Sequence, residues 1–235
     1  QFIKELDAVY STGFSGLVFI VDDNFIGHRG EVVKLLKAIR DWQLEHSFPF
    51  TFFTEASINL AADDEVLELM ADCAFTMVFI GIETPDKHTL ASANKQQNVK
   101  HDLLESVKII QKNGIEFIAG FILGFDTDTD DIFDRQIDFI QKAGIPMAMI
   151  GIMLALPGTQ LYRRLEKEGR LLHETSGNNT NTFDMNFIPL MEKEKITEGY
   201  KKILAELYSP RNYFKRSLTL ISRIPVKVYK KRALR

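Results

Sequence analysis

Met77-Val-Phe-Ile-Gly-Ile-Glu83 is an apolar, β-branched run that stops abruptly at a carboxylate, and the chain repeats the arrangement three more times. Leu17-Val-Phe-Ile-Val21 precedes Asp22-Asp23, Phe50-Thr-Phe-Phe-Thr54 precedes Glu55, and Phe117-Ile-Ala-Gly-Phe-Ile-Leu-Gly-Phe125 precedes Asp126. A helical pattern follows each run, so each reads as the strand of a βα unit. Strands buried on both faces of a parallel sheet read as continuous apolar runs rather than alternating ones. Parallel βα architectures point all strand C-termini the same way, and active sites form at that face. One mouth rimmed by Asp22, Asp23, Glu55, Glu83 and Asp126 is therefore expected.

Working outward, the pattern predicts helix 2–11, strand 17–22, helix 30–46, strand 50–55, helix 63–72, strand 77–82, helix 99–113, strand 116–124, helix 130–143 and strand 147–154. The strand-to-strand spacing matches a strand, a crossover helix and two short loops. Gly13, Gly114 and Gly144 each close a helical pattern ahead of a strand, where a positive φ is needed. Asp63-Asp64 places carboxylates at the positive end of the third helix. After Leu156-Pro-Gly158 the chain turns helical, with helices at 159–169, 192–208 and 210–222. The polar stretch 176–190 reads either as a lid over the mouth or as a plain surface loop. The fold expected is α/β, a partial (β/α)6 TIM-like barrel holding strands two to six (residues 1–158), followed by a helical C-terminal region (159–235).

The 235 residues are 45% hydrophobic and 26% charged, ordinary for a globular protein. No apolar run approaches the ~20 residues of a membrane helix. The first residue is Gln1, and Phe2, Leu6 and Val9 already form one helical stripe, which reads as a fragment whose preceding strand lies upstream. One cysteine, Cys73, excludes a disulfide framework and fits a reducing cytoplasm. Residues 211–235 hold nine of the 29 Lys/Arg and none of the 32 Asp/Glu, so the body before them is acidic. That body argues against nucleic acid as a partner. The tail, where cations alternate with Phe214, Leu218, Ile221 and Val226, suits either a frayed solvated helix or peripheral contact with an anionic membrane.

A barrel with acids at its mouth could bind a divalent metal, run acid–base chemistry, or hold a cationic cofactor. The residues around the acids narrow the choice: Asp22-Asp23-Asn24-Phe-Ile-Gly27, Thr54-Glu-Ala-Ser57, Phe79-Ile-Gly-Ile-Glu-Thr-Pro85, Asn94-Lys-Gln-Gln-Asn98, Gly120-Phe-Ile-Leu-Gly-Phe-Asp126, Leu156-Pro-Gly-Thr159 and Ser176-Gly-Asn-Asn-Thr180. In this order they resemble the radical S-adenosylmethionine enzymes, and within them the cobalamin-binding subgroup that includes the hopanoid C-methylases. The resemblance implies S-adenosylmethionine, a [4Fe–4S] cluster and cobalamin as cofactors. It also implies a 5′-deoxyadenosyl radical that abstracts hydrogen from an unactivated carbon, and a methyl group delivered to a small-molecule or lipid-like substrate. Asp22, Asp23, Glu55, Glu83, Gly120 and Gly124 become candidate S-adenosylmethionine contacts, Glu83 at the ribose. No catalytic residue is assigned.

The chain departs from the family in its cysteines. Iron–sulfur clusters need several thiolates, and Cys73 stands alone on the apolar side of helix 63–72. It reads as a small buried hydrophobe. The cluster cysteines and the cobalamin-binding part are expected upstream of Gln1, which would leave these residues inactive alone. Blander readings stand beside each acid: Asp22 and Asp23 as turn formers, Glu83 as a cap for the turn at Thr84-Pro85, Glu55 as an ion-pair partner, Ser57 as a helix cap, and Asp126 to Asp131 as a solvated cluster around a helix start. For the whole chain, the other readings are a metal-dependent hydrolase or lyase using the mouth carboxylates, and a non-catalytic barrel.

Overall fold

In the computed structural model, which describes residues 1–177, 185–226 and 228, five parallel strands form a curled half-barrel. They are β1 (Gly16–Ile20), β2 (Phe50–Glu55), β3 (Phe75–Glu83), β4 (Glu116–Leu123) and β5 (Ala148–Ile152), hydrogen-bonded in sequence order. The helices between them are α1 (Phe2–Ser11), α2 (Arg29–Glu45), α3 (Asp64–Asp72), α4 (Lys87–Ser92), α5 (Gln96–Lys100), α6 (Leu103–Lys112) and α7 (Ile132–Ala143). Beyond β5 come α8 (Gln160–Lys167), α9 (Lys193–Leu207) and α10 (Pro210–Arg223).

The outer face of the sheet is the core. Val78, Ile80 and Ile82 of β3 and Phe117, Ala119 and Phe121 of β4 are buried beneath the helices. Complete burial of side chains of this size is worth about 1.5–3 kcal/mol each, enough to hold the strands in register. The inner face differs from expectation. Leu17, Phe19 and Val21 are exposed, as are Met147 and Met149 beside β4, and Met77, Phe79 and Gly81 are only half-buried. Five strands curl without closing, so the runs are apolar at every position because the inner residues line a lumen. They are not buried on both faces.

Three further differences have local causes. The single helix expected over 99–113 is interrupted between the end of α5 and the start of α6, and α4, over 87–92, lies ahead of it where no helix was expected. Asp86 caps α4 by accepting from Thr89 N, Asn94 turns the chain at φ 58°, and Asp102 caps α6 by accepting from Glu105 N. α7 begins at Ile132 rather than at 130, with Asp131 at its N-cap position and no cap bond from that side chain. Of the segment expected as a lid, residues 178–184 lie outside the described residues. Its later part is pinned: Leu171 bridges Phe187, and Asn186 accepts from Ala155 N at 2.9 Å while donating to Ala155 O at 2.8 Å. Cys73 is buried, its Sγ donating to Leu36 O at 3.0 Å.

Gly144 follows α7 at φ 61°, and a Cβ there would meet Thr219 Cγ2 of α10 at 2.8 Å. That contact locates α10, which crosses the end of the barrel where the strands begin. Arg216 is fully buried and donates to the carbonyls of Ile145, Pro146 and Leu207. Arg223 donates to Gln111 Oε1 at 2.7 Å and to the carbonyls of Lys142 and Ala143. The C-terminal carbonyls of α7 and α9 gather at this end, and cationic donors there meet both hydrogen-bonding need and helix dipole.

Candidate active site

All strands being parallel, Asp22, Glu55, Glu83 and Asp126 follow strand C-termini and share the mouth end of the sheet. The chain geometry gives each a different setting. Asp22 accepts from Asn24 N at 2.8 Å, an Asx turn that swings the loop after β1. Asn24 Oδ1 in turn accepts from Ser57 N at 3.0 Å, tying the first loop to the second, and Phe25 N donates to Glu55 O. Ser57 precedes a 3₁₀ turn, Ile58–Ala62, without a side-chain cap bond. Asp22 and Asp23 line a cleft of about 1020 Å³ between α1, the edge of β1 and the start of α2, together with Phe2, Leu6 and His28. Glu55, Glu83 and Asp126 are not part of that wall.

Glu83 is where backbone and side chain are most constrained. It sits at φ 68°, a region non-glycine residues occupy only when surroundings hold them. The β3–β4 register slips between Gly81 and Glu83. Its carboxylate folds back over Gly81, where a Cβ would meet Oε1 at 2.6 Å, and Lys95 Nζ lies 2.7 Å from that oxygen. The buried Asn98 side chain donates to Gly81 O at 3.0 Å and Ile82 O at 3.1 Å, fixing the bulge. The adjoining turn is served by Thr84, whose Oγ1 accepts from Asp86 N at 3.3 Å, so Glu83 is not its cap. Lys95 and Asn98 were visible as the polar stretch after the third strand. Their roles were not, because only the fold brings them onto Glu83 and Gly81.

Gly120 pairs with Gly81 on one side and Met149 on the other, on the lumen face. A Cβ at Gly120 would meet the Phe79 ring at 2.9 Å, so the glycine lets an aromatic wall lie flat on the sheet. Gly124 follows β4 at φ 97°. Asp128 Oδ2 accepts from the N–H groups of Gly124 and Phe125 at 2.9 and 3.0 Å, while its buried Oδ1 has no partner among the described residues. Burial, opposed by those N–H bonds, pushes the Asp128 carboxyl up to about 6, and neighbouring Asp86 adds to the rise. Asp126 is committed elsewhere: Arg170 grips it at 2.6 Å and Arg164 at 2.7 Å. Although burial opposes it, hydrogen bonding and charge from Arg170 hold its carboxyl below the usual range. These guanidinium groups come from beyond residue 158, so no local spacing announced them.

The mouth therefore offers strand-end carboxylates and an apolar wall, with Phe79 and Met185 packed over Gly120 and Gly124. Carboxylates suit vicinal ribose hydroxyls and the ammonium and sulfonium charges of S-adenosylmethionine. This donor set fits that molecule. It does not fit an iron–sulfur cluster, since the one thiol is buried and hydrogen-bonded inside the helical layer. Among the described residues no group of three or more His, Cys, Asp or Glu could hold a metal ion.

Comparison with known proteins fits this geometry. Residues 1–158 match the model of the radical SAM superfamily. The chain belongs to the radical SAM superfamily. Residues 159–234 match a domain of unknown function, DUF4070. An uncharacterised methyltransferase of Synechocystis sp. is 45% identical, and the hopanoid C-2 methylase of Rhodopseudomonas palustris is 38% identical, each over 92% of this chain and 40% of its own length. The chain thus spans about 40% of the length of these relatives. Among solved structures, the radical S-adenosylmethionine methyltransferase TsrM from Kitasatospora setae, with cobalamin and a [4Fe-4S] cluster bound, superposes with TM-score 0.62 at 12% identity. The match covers 89% of this chain and 46% of TsrM, and supports the fold alone.

Proposed function

We propose that residues 1–158 are the S-adenosylmethionine-binding half-barrel, and residues 159–235 the accompanying helical region, of a cobalamin-dependent radical SAM methyltransferase. Its substrate is a small molecule or lipid-like compound carrying an unactivated carbon. The observation that carries this reading is the lumen: Leu17, Phe19, Met147 and Met149 lie uncovered below a polar rim, an arrangement for an apolar substrate beneath a charged cofactor. When bound, the cluster and cobalamin supply the reductive cleavage of S-adenosylmethionine and the methyl group. The residues of this chain bind, orient and exclude water.

At the rim, Glu83 accepts from the ribose hydroxyls through Oε2, with Lys95 holding Oε1. Asp22, Asp23 and Glu55 supply negative charge toward the sulfonium and ammonium groups, and Gly120 and Gly124, over which the Phe79 ring and Met185 lie, form the wall that adenine faces. The Phe19 and Phe53 rings, stacked 4.8 Å apart, wall the lumen against water. The single cysteine supports a reducing, cytoplasmic setting. No helix among the described residues is long and apolar enough to cross a membrane. Peripheral membrane contact through 211–235 belongs to this reading as well. The hydrolase or lyase alternative loses support from the want of a metal-ligand group among the described residues, and from the two arginines on Asp126.

The test uses the full-length protein with its cofactors restored. Reductant should yield 5′-deoxyadenosine from S-adenosylmethionine and methylate an apolar acceptor extracted from the native host. Turnover without S-adenosylmethionine would overturn the reading.

A further inference from the structure

α10 has two unlike faces. Arg216 and Leu220 are buried against the barrel, whereas Phe214 (65%), Leu218 (64%) and Ile221 (54%) are exposed on the opposite side. With 100° per residue these three fall within a 60° arc, a continuous apolar stripe along the helix. Single exposed apolar residues need no explanation, but an aligned set does. Beside the stripe stand Arg211 and Lys215, both exposed and without an ion-pair partner among the described residues.

We infer that this face of α10 is a docking surface for an anionic lipid bilayer. Apolar side chains flanked by unneutralised cations match the headgroup boundary of such a membrane, where acyl chains accept the first and lipid phosphates the second. A second copy of the chain is disfavoured, because a two-fold contact would juxtapose Arg211 and Lys215 with their equivalents in a segment that carries nine cations and no acid. Nucleic acid would leave the Phe214–Leu218–Ile221 stripe in water. The inference deepens the membrane contact of the proposed function by fixing its face and its direction, without needing the methyl-transfer reading. α10 crosses the end where the strands begin, so a docked molecule holds its mouth away from the bilayer. The contact anchors the protein and does not press the mouth onto the lipid.

Co-sedimentation of the full-length protein with phosphatidylcholine vesicles, with and without phosphatidylglycerol, tests this. Binding is expected only to the anionic vesicles, and should weaken as salt screens it. Each cation at the surface contributes about a fivefold factor, so Arg211→Gln with Lys215→Gln should lower partitioning about 25-fold. Phe214→Ser, Leu218→Ser and Ile221→Ser together should abolish it. Both variants should keep the wild-type unfolding midpoint, since the residues are exposed. Undiminished binding by either variant, or no binding by wild type, would overturn the inference. So would a dimer in sedimentation velocity that the triple variant disperses, because the face would then belong to a second copy.

Discussion

Lys95 Nζ stands 2.7 Å from Glu83 Oε1, on the carboxylate that ends β3 in a left-handed backbone conformation. The pair fixes one oxygen and leaves Oε2 without a partner among the described residues. Glu83→Ala should therefore weaken S-adenosylmethionine binding in the full-length protein by about 1.5–3 kcal/mol, the range for hydrogen bonds to charged groups. Glu83→Gln keeps the shape and the same backbone strain, and should lose less. Calorimetry distinguishes the two, and equal, unchanged affinities would remove Glu83 from the site.

The Tyr208 hydroxyl donates to Ala148 O at 2.8 Å and accepts from Ala148 N at 3.2 Å, doing for the outer edge of β5 what a neighbouring strand would do. Tyr208→Phe strands both groups of a buried residue. It should lower stability by about 1–3 kcal/mol in urea unfolding, while Tyr213→Phe should change little.

The Asp128 carboxyl, pushed up to about 6, binds its proton more tightly folded than unfolded. Its contribution to stability is thus full below about pH 4 and is lost as pH rises through 6. Stability measured from pH 4 to 7 should fall by up to about 3 kcal/mol more in wild type than in Asp128→Asn. Parallel profiles for the two proteins would show that Asp128 titrates as it does in water.

Gly120→Ala forces the Phe79 ring, 2.9 Å from the new Cβ, off the lumen wall. Overpacking of this kind costs about 1–3 kcal/mol. Unfolding should register that loss, and S-adenosylmethionine affinity should drop with it.

The half-barrel could be read from the chain because four of its five strands announce themselves twice, by an apolar run and by the carboxylate that ends it, and β5 by its run alone. What those runs hid is which face stays open, since lining a lumen and filling a core demand the same side chains. The rim acids were equally legible as positions and illegible as environments. Asp22 in its turn, Glu83 under Lys95 and Asp126 between Arg164 and Arg170 differ only through partners that folding brings in. The break inside the expected helix was written in Asp102, and the unexpected α4 in Asp86 and Asn94, punctuation that a smooth helical period overrode. The place of α10 at the far end of the barrel rests on Arg216 and Arg223, whose acceptors, Gln111 Oε1 apart, are backbone carbonyls and so leave no trace in side-chain pattern.

Arg223 meets Gln111 across 112 positions of chain. At roughly 5–20 residues per second of synthesis, some 6–22 s separate their appearance on a ribosome. Until Arg216 and Arg223 are made, the carbonyls of Lys142, Ile145 and Pro146 lack these donors and Ala143 O has only the Gln111 amide, so the base of the half-barrel stays unsealed until α10 arrives. Translation of α10 thus sets the earliest moment at which the base of the nascent half-barrel can close.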